Sequence, residues 1–260
     1  FSGGNKMEEN TVLSTGIRTL DVVIGEGGLP NRSLVLVVGD VGYIHRLLVQ
    51  TIVYHLSKDP TANTAVKYVL YDYSAEELKN IFKDIRMDIS SLPEDKWKII
   101  DMYKEEPVPD ILEMNPLSVL LSEYMDGCFN EKMVGTGRRI VTVIDSLSTF
   151  LHQIPEWGVD IDDLYAIFIK EFSHRITKID GIHFWLMTRG LQEEQIENTI
   201  AHFADVVFSL RQKQSGERVA NFIQIPKLGT RILREQRARE YPIVVAENYQ
   251  VRIDTKERIV

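Results

Sequence analysis

Residues 33–47, which read SLVLVVGDVGYIHRL, decide the fold that this sequence predicts. The apolar run 34–38 predicts a buried strand that leads into Gly39. Gly39 and Gly42 then supply a turn, and the apolar spacing beyond it predicts a helix over about 43–57. Such a strand, turn and helix N-terminus form a typical cradle for a phosphate group, because backbone N–H groups converge there.

The turn can be compared with the P-loop motif G-x-x-x-x-G-K-[ST]. In that motif the lysine contacts the β- and γ-phosphates, and the hydroxyl group ligates Mg²⁺. Gly39 fills the first position, but Ile44 replaces the second glycine. His45 replaces the lysine, and Arg46 replaces the serine or threonine. The sequence therefore keeps the strand, turn and helix of a phosphate site. It lacks most of the residues that bind phosphate and Mg²⁺ in the motif.

Composition indicates one large α/β domain, since the chain has 260 residues of which 44% are hydrophobic. The single cysteine, Cys128, excludes an internal disulfide and favours a cytoplasmic location. No apolar run approaches the length of a membrane span, so no membrane association is expected. The net charge of −8 argues against a nucleic-acid footprint over the whole surface. Residues 1–6 precede Met7 and are interpreted as a cloning remnant.

Strand patterns alternate with helix patterns along most of the chain. Strands are predicted over 34–38, 66–73, 97–102, 139–145, 182–187 and 204–210, and helices over 75–86, 115–125, 146–153 and 161–179. This alternation predicts an α/β fold with a mainly parallel central sheet flanked by helices. Short antiparallel strands are predicted afterwards, over 218–225, 243–245 and 249–253. The single domain, 7–260, thus divides into a lead-in (7–32), a core (33–211) and a β-rich C-terminal extension (212–260).

Four stretches in this order resemble RecA-superfamily ATPases of the KaiC/RadA type. Residues 14–21, STGIRTLD, with the glycines that follow, are similar to the family's lead-in, and the strand and turn at 33–47 come at the expected distance. Residues 143–148, VIDSLS, resemble the Walker B strand and contain Asp145. The tail, PKLGTR at 226–231 followed by YPI at 241–243, resembles the family's K-x-R-G…Y-P-[FI] ending.

The resemblance covers nearly the whole chain and implies a RecA-like P-loop NTPase fold. It also implies ATP or ADP as the ligand and subunit interfaces that bracket the nucleotide. It names candidate nucleotide-binding residues in the turn, at the Walker B strand, at the end of the next strand and in the tail. These are Gly39, Asp40, Val41, Gly42, Tyr43, Ile44, His45, Arg46, Asp145, Arg189 and Lys227.

Departures from the family pattern decide what function the resemblance implies. KaiC-like proteins carry a glutamate pair after the second strand, which polarises the attacking water. Aligning residues 74–78, SAEEL, with the family's S-P-E-E-L places Asp72 and Tyr73 at that pair, so only Asp72 is a candidate base. In the tail, Lys227 matches a lysine that reaches a neighbouring subunit's nucleotide, and Gly229 stands where an arginine would be.

Arg46 places a cation where Mg²⁺ would need a hydroxyl ligand, so Mg²⁺ binding is doubtful and no metal site is predicted. One interpretation is a metal-free anion site built from Arg46, His45 and the helix N-terminus. The other, which is favoured, is an ion pair of Arg46 with Asp145 or Asp72 that fills the pocket. His45 is expected to be partly exposed. Arg189 either contacts a phosphate or holds Asp145.

The leading hypothesis is a catalytically impaired protein that acts as a regulatory or assembly component. It would be a homo-oligomer or a hetero-oligomer with an active RecA/KaiC-like paralogue, and the resemblance suggests an archaeal source. One alternative is a true ATPase that uses Arg46 for phosphate and Asp72 as general base. Another is a recombination mediator that binds single-stranded DNA through residues 211–239, which contain eight Lys/Arg against two Asp/Glu.

Overall fold

The computed structural model describes residues 12–25, 27–103, 137–153, 178–215, 218–229, 239–247 and 249–255. The strands in these residues are β1 (Val12–Leu13), β2 (Leu29–Pro30), β3 (Ser33–Gly39), β4 (Thr64–Leu70), β5 (Trp97–Asp101), β6 (Arg139–Asp145), β7 (Gly181–Thr188), β8 (Val206–Ser215), β9 (Arg218–Leu228), β10 (Tyr241–Val245) and β11 (Val251–Ile253). The helices are α1 (Arg18–Ile24), α2 (Ile44–Lys58), α3 (Ala75–Asp84), α4 (Leu147–Gln153) and α5 (Glu194–Phe203).

The main sheet of the described residues has nine strands in the order β11-β10-β9-β8-β3-β7-β6-β4-β5. The strands from β8 to β5 in this order are parallel to one another. On the other side of β8, strands β9, β10 and β11 are each antiparallel to the strand before them. The predicted α/β fold, with its mainly parallel sheet and antiparallel C-terminal extension, is confirmed.

Strand β3 lies in the middle of the sheet, and all of its residues are buried. Val35 and Val37 belong to the apolar core that includes α2, whereas Leu36 and Val38 belong to the core on the other face. Burial on both faces explains why the run 34–38 is continuously apolar rather than alternating. The glycine turn therefore begins from one of the most buried strands of the molecule.

Local sequence signals set several boundaries. Ser74 caps α3 as predicted, in a capping box in which the Ser74 hydroxyl and the Glu77 side chain each accept from the other's backbone N–H. Strand β4 ends at Leu70, earlier than predicted, so Asp72 and Tyr73 lie in a turn beyond the sheet. Helix α5 was not predicted. The helix predicted over 115–125 and most of that over 161–179 lie outside the described residues.

The parallel strands bring their carboxyl ends to one edge of the sheet. Gly39, Leu70, Asp145 and Thr188 end β3, β4, β6 and β7 at this edge. Loops that follow the strands of an α/β sheet meet at such an edge, where ligands usually bind. The residues singled out from the sequence therefore converge here, with the exception of Lys227.

In the described part of the chain, every helix is too short or too polar to span a bilayer.

Candidate functional site

Arg46, in the first turn of α2, is held between two carboxylates at the carboxyl edge of the sheet. Its Nε donates to Asp145 Oδ1 over 2.8 Å, and its Nη2 donates to Asp72 Oδ2. The Arg46 side chain is 26% exposed, and that of Asp145 is fully buried. The predicted ion pair is confirmed, and it engages both of the acids that were considered.

Asp145 is saturated by donors from its surroundings. Its second oxygen, Oδ2, accepts from the hydroxyl of Tyr73 over 2.5 Å and from that of Tyr68 over 3.1 Å. Burial raises the pKa of both tyrosines well above the usual value. The charges of Tyr73 and Asp145 add to this effect at Tyr68, and the charge of Asp145 adds to it at Tyr73. Both phenols therefore stay protonated and serve as hydrogen-bond donors to the buried carboxylate.

The Arg46 guanidinium remains charged in this position. Burial disfavours its charge, but Asp145 and the adjacent phenol of Tyr73 outweigh that effect and raise the pKa of Arg46. The guanidinium carbon also lies 5.3 Å from the centre of the Tyr73 ring, within range of a cation–π contact. Tyr73 thus contacts both members of the ion pair.

Both carboxylate oxygens of Asp72, the candidate base, also have hydrogen-bond partners. Its Oδ1 accepts from the hydroxyl of Thr149, and Ser146 Oγ lies 3.5 Å away. The hydroxyls of Ser146 and Thr149 are 3.0 Å apart, so they form one polar group at the start of α4. With Arg46 on its other oxygen, Asp72 is bound as a structural carboxylate.

His45 is buried rather than partly exposed, so that prediction was wrong. Only 1% of the residue is accessible, and its ring packs against Gly39, where a Cβ would lie 2.6 Å from the ring. Within the described residues, neither ring nitrogen has a hydrogen-bond partner. Burial and the nearby Arg46 lower the pKa of His45 to about 4, so the ring is neutral at pH 7. The prediction overlooked the space that a glycine at position 39 leaves for the ring.

The turn itself differs from the motif in its backbone. The glycine-like conformation falls at Gly42, with φ of 147°, whereas Ile44 is the first residue of α2 and is buried. Isoleucine is thus accommodated without left-handed strain, because the loop takes another shape. Val41 and Tyr43 project from the turn, with 77% and 61% of their surfaces exposed.

Arg189 holds the turn and does not contact Asp145. Its Nε donates to Asp40 Oδ1 over 3.1 Å, and its Nη2 donates to the hydroxyl of Ser209 over 2.9 Å. The other oxygen of Asp40 accepts from the backbone N–H of Gln212 over 2.8 Å. Of the two alternatives left open for Arg189, the contact with Asp145 is not made, since the carboxylate partner is Asp40. Contact with a phosphate stays a prediction. Asp40 ties the turn to β7 and β8.

Lys227 lies at the opposite edge of the sheet. It pairs with Val207 near the start of β8, and its Nζ donates to the carbonyl of His202 over 2.5 Å and to that of Ala201 over 3.4 Å. These carbonyls end α5, where a cation is favoured by the helix dipole. Burial lowers the pKa of Lys227, and the charge of Asp205 partly opposes this. Its contact with a neighbouring subunit stays a prediction.

The residues at the P-loop turn do not fit a magnesium nucleotide. Position 46 offers a guanidinium instead of a hydroxyl ligand, and both oxygens of Asp145 already have donors. Among the residues that the structure describes, no group of His, Cys, Asp or Glu side chains could hold a metal ion. The basic residues 231, 234 and 237 lie outside the described residues, and DNA binding stays untested.

The sequence did not predict that the hydroxyls of Tyr68, Tyr73 and Thr149 donate hydrogen bonds to Asp145 and Asp72. Tyr73 was noted only as the residue that replaces an acid, although a phenol beside a buried carboxylate is a natural donor. Thr149 follows Ser146 by three residues on a predicted helix, and that spacing could have indicated a shared face. Tyr68 had no distinguishing signal, since it lies inside a buried strand.

Three comparisons relate the chain to known proteins. A family model described as "ATPase: KaiC" matches residues 13–258. The comparison with curated proteins found no significant match. The crystal structure of a KaiC-like protein from the hyperthermophilic archaeon Pyrococcus horikoshii is similar over 94% of this chain and 98% of that one, with 16% identity and a TM-score of 0.68. At that identity the structural likeness shows the shared fold.

Proposed function

Because this chain belongs to the KaiC family of ATPases, we propose that it is a catalytically impaired member that acts as a regulatory or assembly component. The observation that supports this most strongly is the position of Arg46, which bridges Asp72 and Asp145. One side chain thereby occupies the place of the metal and binds both acids at the positions that an active relative would use.

Metal binding would require the loss of this arrangement. Mg²⁺ prefers oxygen ligands in octahedral geometry and would have to displace a guanidinium from a fully buried carboxylate. The displaced guanidinium of Arg46, whose side chain is only 26% exposed, would lose its carboxylate partner, and this loss opposes metal binding. A nucleotide that depends on Mg²⁺ would therefore bind weakly or not at all.

Phosphate stabilisation is reduced for a second reason. A P-loop lysine supplies a point charge to the β- and γ-phosphates, whereas the buried His45 ring is neutral at pH 7. Phosphoryl transfer depends almost entirely on positioning and charge stabilisation, so the loss of lysine, metal ligand and free base together is severe. Any remaining nucleotide binding would be weak and independent of metal.

Isothermal titration calorimetry of the intact chain with ATP and with ADP, each with and without Mg²⁺, tests this proposal. We expect no heat of binding, or weak binding that is the same with and without Mg²⁺. A parallel assay for released phosphate should show no turnover above the buffer blank. Binding that requires Mg²⁺, followed by hydrolysis, would contradict the proposal and favour an ATPase with an unorthodox P-loop.

The regulatory or assembly role is supported by the exposed apolar side chains of the turn. Val41 and Tyr43 lie at the edge that the family's subunit interfaces bracket, and Leu191 is exposed after the end of β7. We propose that this edge contacts another copy of the chain or an active paralogue. Sedimentation velocity should detect self-association that Val41→Ser and Tyr43→Ser together weaken, with Val22→Ser as the matched exposed control. If the chain is monomeric at all concentrations, self-association is excluded, and an active paralogue is the remaining proposed partner.

A further inference from the structure

We infer that the amino-terminal edge of the sheet carries a second anion site, which takes a small phosphorylated ligand and is separate from the P-loop turn. The site is a polar cleft of about 460 Å³ between the turns that enter β4, β6 and β7. The side chains that define it are Thr61, Asn63, Arg138, Arg139, Lys178 and Asp180.

The cleft and the P-loop turn lie at opposite ends of the same strands. Strand β6 begins at Arg139 in the cleft and ends at Asp145 beside Arg46. At about 3.3 Å per residue, this strand separates the two places by about 20 Å. A ligand of the cleft therefore cannot be the nucleotide that the P-loop of an active relative binds.

Hydrogen bonds fix the walls of the cleft. The backbone N–H of Arg139 donates to the carbonyl of Asn63 over 3.0 Å, and Asn63 Nδ2 donates to the carbonyl of Gly137 over 3.3 Å. Arg139 Nη1 donates to the carbonyl of Ala62 over 3.0 Å. This last bond orients the guanidinium and leaves its other N–H groups to serve a ligand.

The charges of the cleft favour an anion. Asp180, the one carboxylate among the described residues that line the cleft, is held by Arg32 at 2.6 Å, and Arg138 is paired with Asp95 at 2.8 Å. Among the described residues, Arg139 and Lys178 form no direct ion pair, although the charge of Arg139 helps to lower the pKa of Asp180. The whole chain carries a net charge of −8, so the cleft differs from the rest of the protein in its excess of cationic side chains. This local positive charge would attract anions.

The side-chain types in the cleft suit phosphate in particular. A guanidinium offers a fork of N–H groups that matches two phosphate oxygens, and an ammonium adds a point charge. Thr61 and Asn63 add polar groups at the rim. The volume of the cleft and its polar walls suit a compact ligand that carries one or two phosphate groups.

Calorimetric titration of the full chain with inorganic pyrophosphate at low salt tests the inference. We expect binding that Lys178→Gln weakens about tenfold or more, the usual value of a charge-assisted contact. Lys178 is exposed, so the variant should fold normally, and Arg139→Lys, which keeps the charge but removes the fork, should also weaken binding. Lys79→Gln, on the exposed side of α3, makes the same change of charge elsewhere and should leave binding unchanged.

Three results would overturn the inference. The first is no binding at pyrophosphate concentrations up to about 5 mM. The second is binding that Lys178→Gln and Arg139→Lys leave unchanged, which would place the anion elsewhere. The third is binding of a single-stranded oligonucleotide in the absence of pyrophosphate binding. Nucleotide binding at the P-loop turn would survive both cleft variants, so failure of the proposed function is distinguishable from failure of this inference.

Discussion

Arg46 Nε lies 2.8 Å from Asp145 Oδ1, which joins the first turn of α2 to the buried end of β6. The helix that follows a phosphate-binding turn is thus tied to the strand that would present a metal ligand. This ion pair holds the start of α2 against the carboxyl edge of the sheet. The contact that is proposed to keep the nucleotide out should therefore also stabilise the chain.

Replacement of Arg46 by alanine should strongly destabilise the protein. It leaves the fully buried Asp145 without its cation, and we expect the free energy of unfolding to fall by about 3 kcal/mol. Urea denaturation at pH 7 measures this change. Arg138→Ala removes a more exposed ion pair with Asp95 and should cost less than about 1 kcal/mol. Equal effects of the two substitutions would contradict the importance of the Arg46 contact.

Tyr73→Phe isolates the hydrogen bond that Tyr73 donates to Asp145 over 2.5 Å. The ring beneath Arg46 is kept, so only the donor is lost. A hydrogen bond to a charged group contributes about 1.5–3 kcal/mol, and the free energy of unfolding should fall by about that amount. Tyr43→Phe makes the same change on an exposed ring and should have almost no effect. Similar stability of both variants would mean that Asp145 does not need this donor.

The neutral, buried His45 makes the protein sensitive to acid. Its pKa is about 4 in the folded chain, below the ordinary value of 6.5. Between these values the unfolded chain binds more protons, so the free energy of unfolding should fall as the pH is lowered from about 6.5 to about 4. The contribution of one histidine to this slope is at most about 1.4 kcal/mol per pH unit.

His45→Phe tests this contribution, because it keeps a flat ring against Gly39 and removes the titration. Denaturant unfolding at several pH values should show a shallower loss of stability in the variant. His183, which is also buried with a pKa lowered by burial to about 3, retains part of the slope in both proteins. The exposed His152, replaced by phenylalanine, serves as the matched control for the same change of side chain. An unchanged slope in His45→Phe would contradict a neutral buried ring.

Lys227→Met should loosen the end of α5. The substitution removes the ammonium that binds the carbonyls of His202 and Ala201, and we expect a loss of about 1 kcal/mol in the free energy of unfolding. Amide hydrogen exchange should become faster in the last turn of α5 in particular. Lys79→Met, on an exposed position of α3, is the control. Unchanged exchange in α5 would mean that the contact adds no stability.

The sequence predicted those features that depend on local pattern or on a simple balance of charge. The apolar run before Gly39 predicted β3, and Ser74 predicted the start of α3. The ion pair of Arg46 was predicted because a cation at a metal position and an acid without its metal complement each other. None of these inferences required knowledge of which distant loops meet.

The features that could not be predicted depend on the approach of segments far apart in the chain. Arg189 contacts Asp40 from a position 149 residues away, and Tyr73 contacts Asp145 from 72 residues away. The burial of His45 depends on the small cross-section of Gly39 and on the way the turn folds over it. Several acids and bases meet at this edge, so residue type alone does not select the partners.

In the proposed function, Arg46 and His45 keep magnesium nucleotide out of a turn that otherwise has the position of a P-loop. The most direct test is one calorimetric titration with Mg²⁺ and ATP of the natural chain and of the double variant His45→Lys and Arg46→Thr. The double variant restores the lysine and the metal-ligating hydroxyl. A charge-matched control carries His152→Lys and Arg18→Thr, at two exposed positions outside the turn. We expect binding that depends on Mg²⁺ in the double variant alone, whereas equally tight binding by the natural chain would mean that these two residues do not keep the nucleotide out.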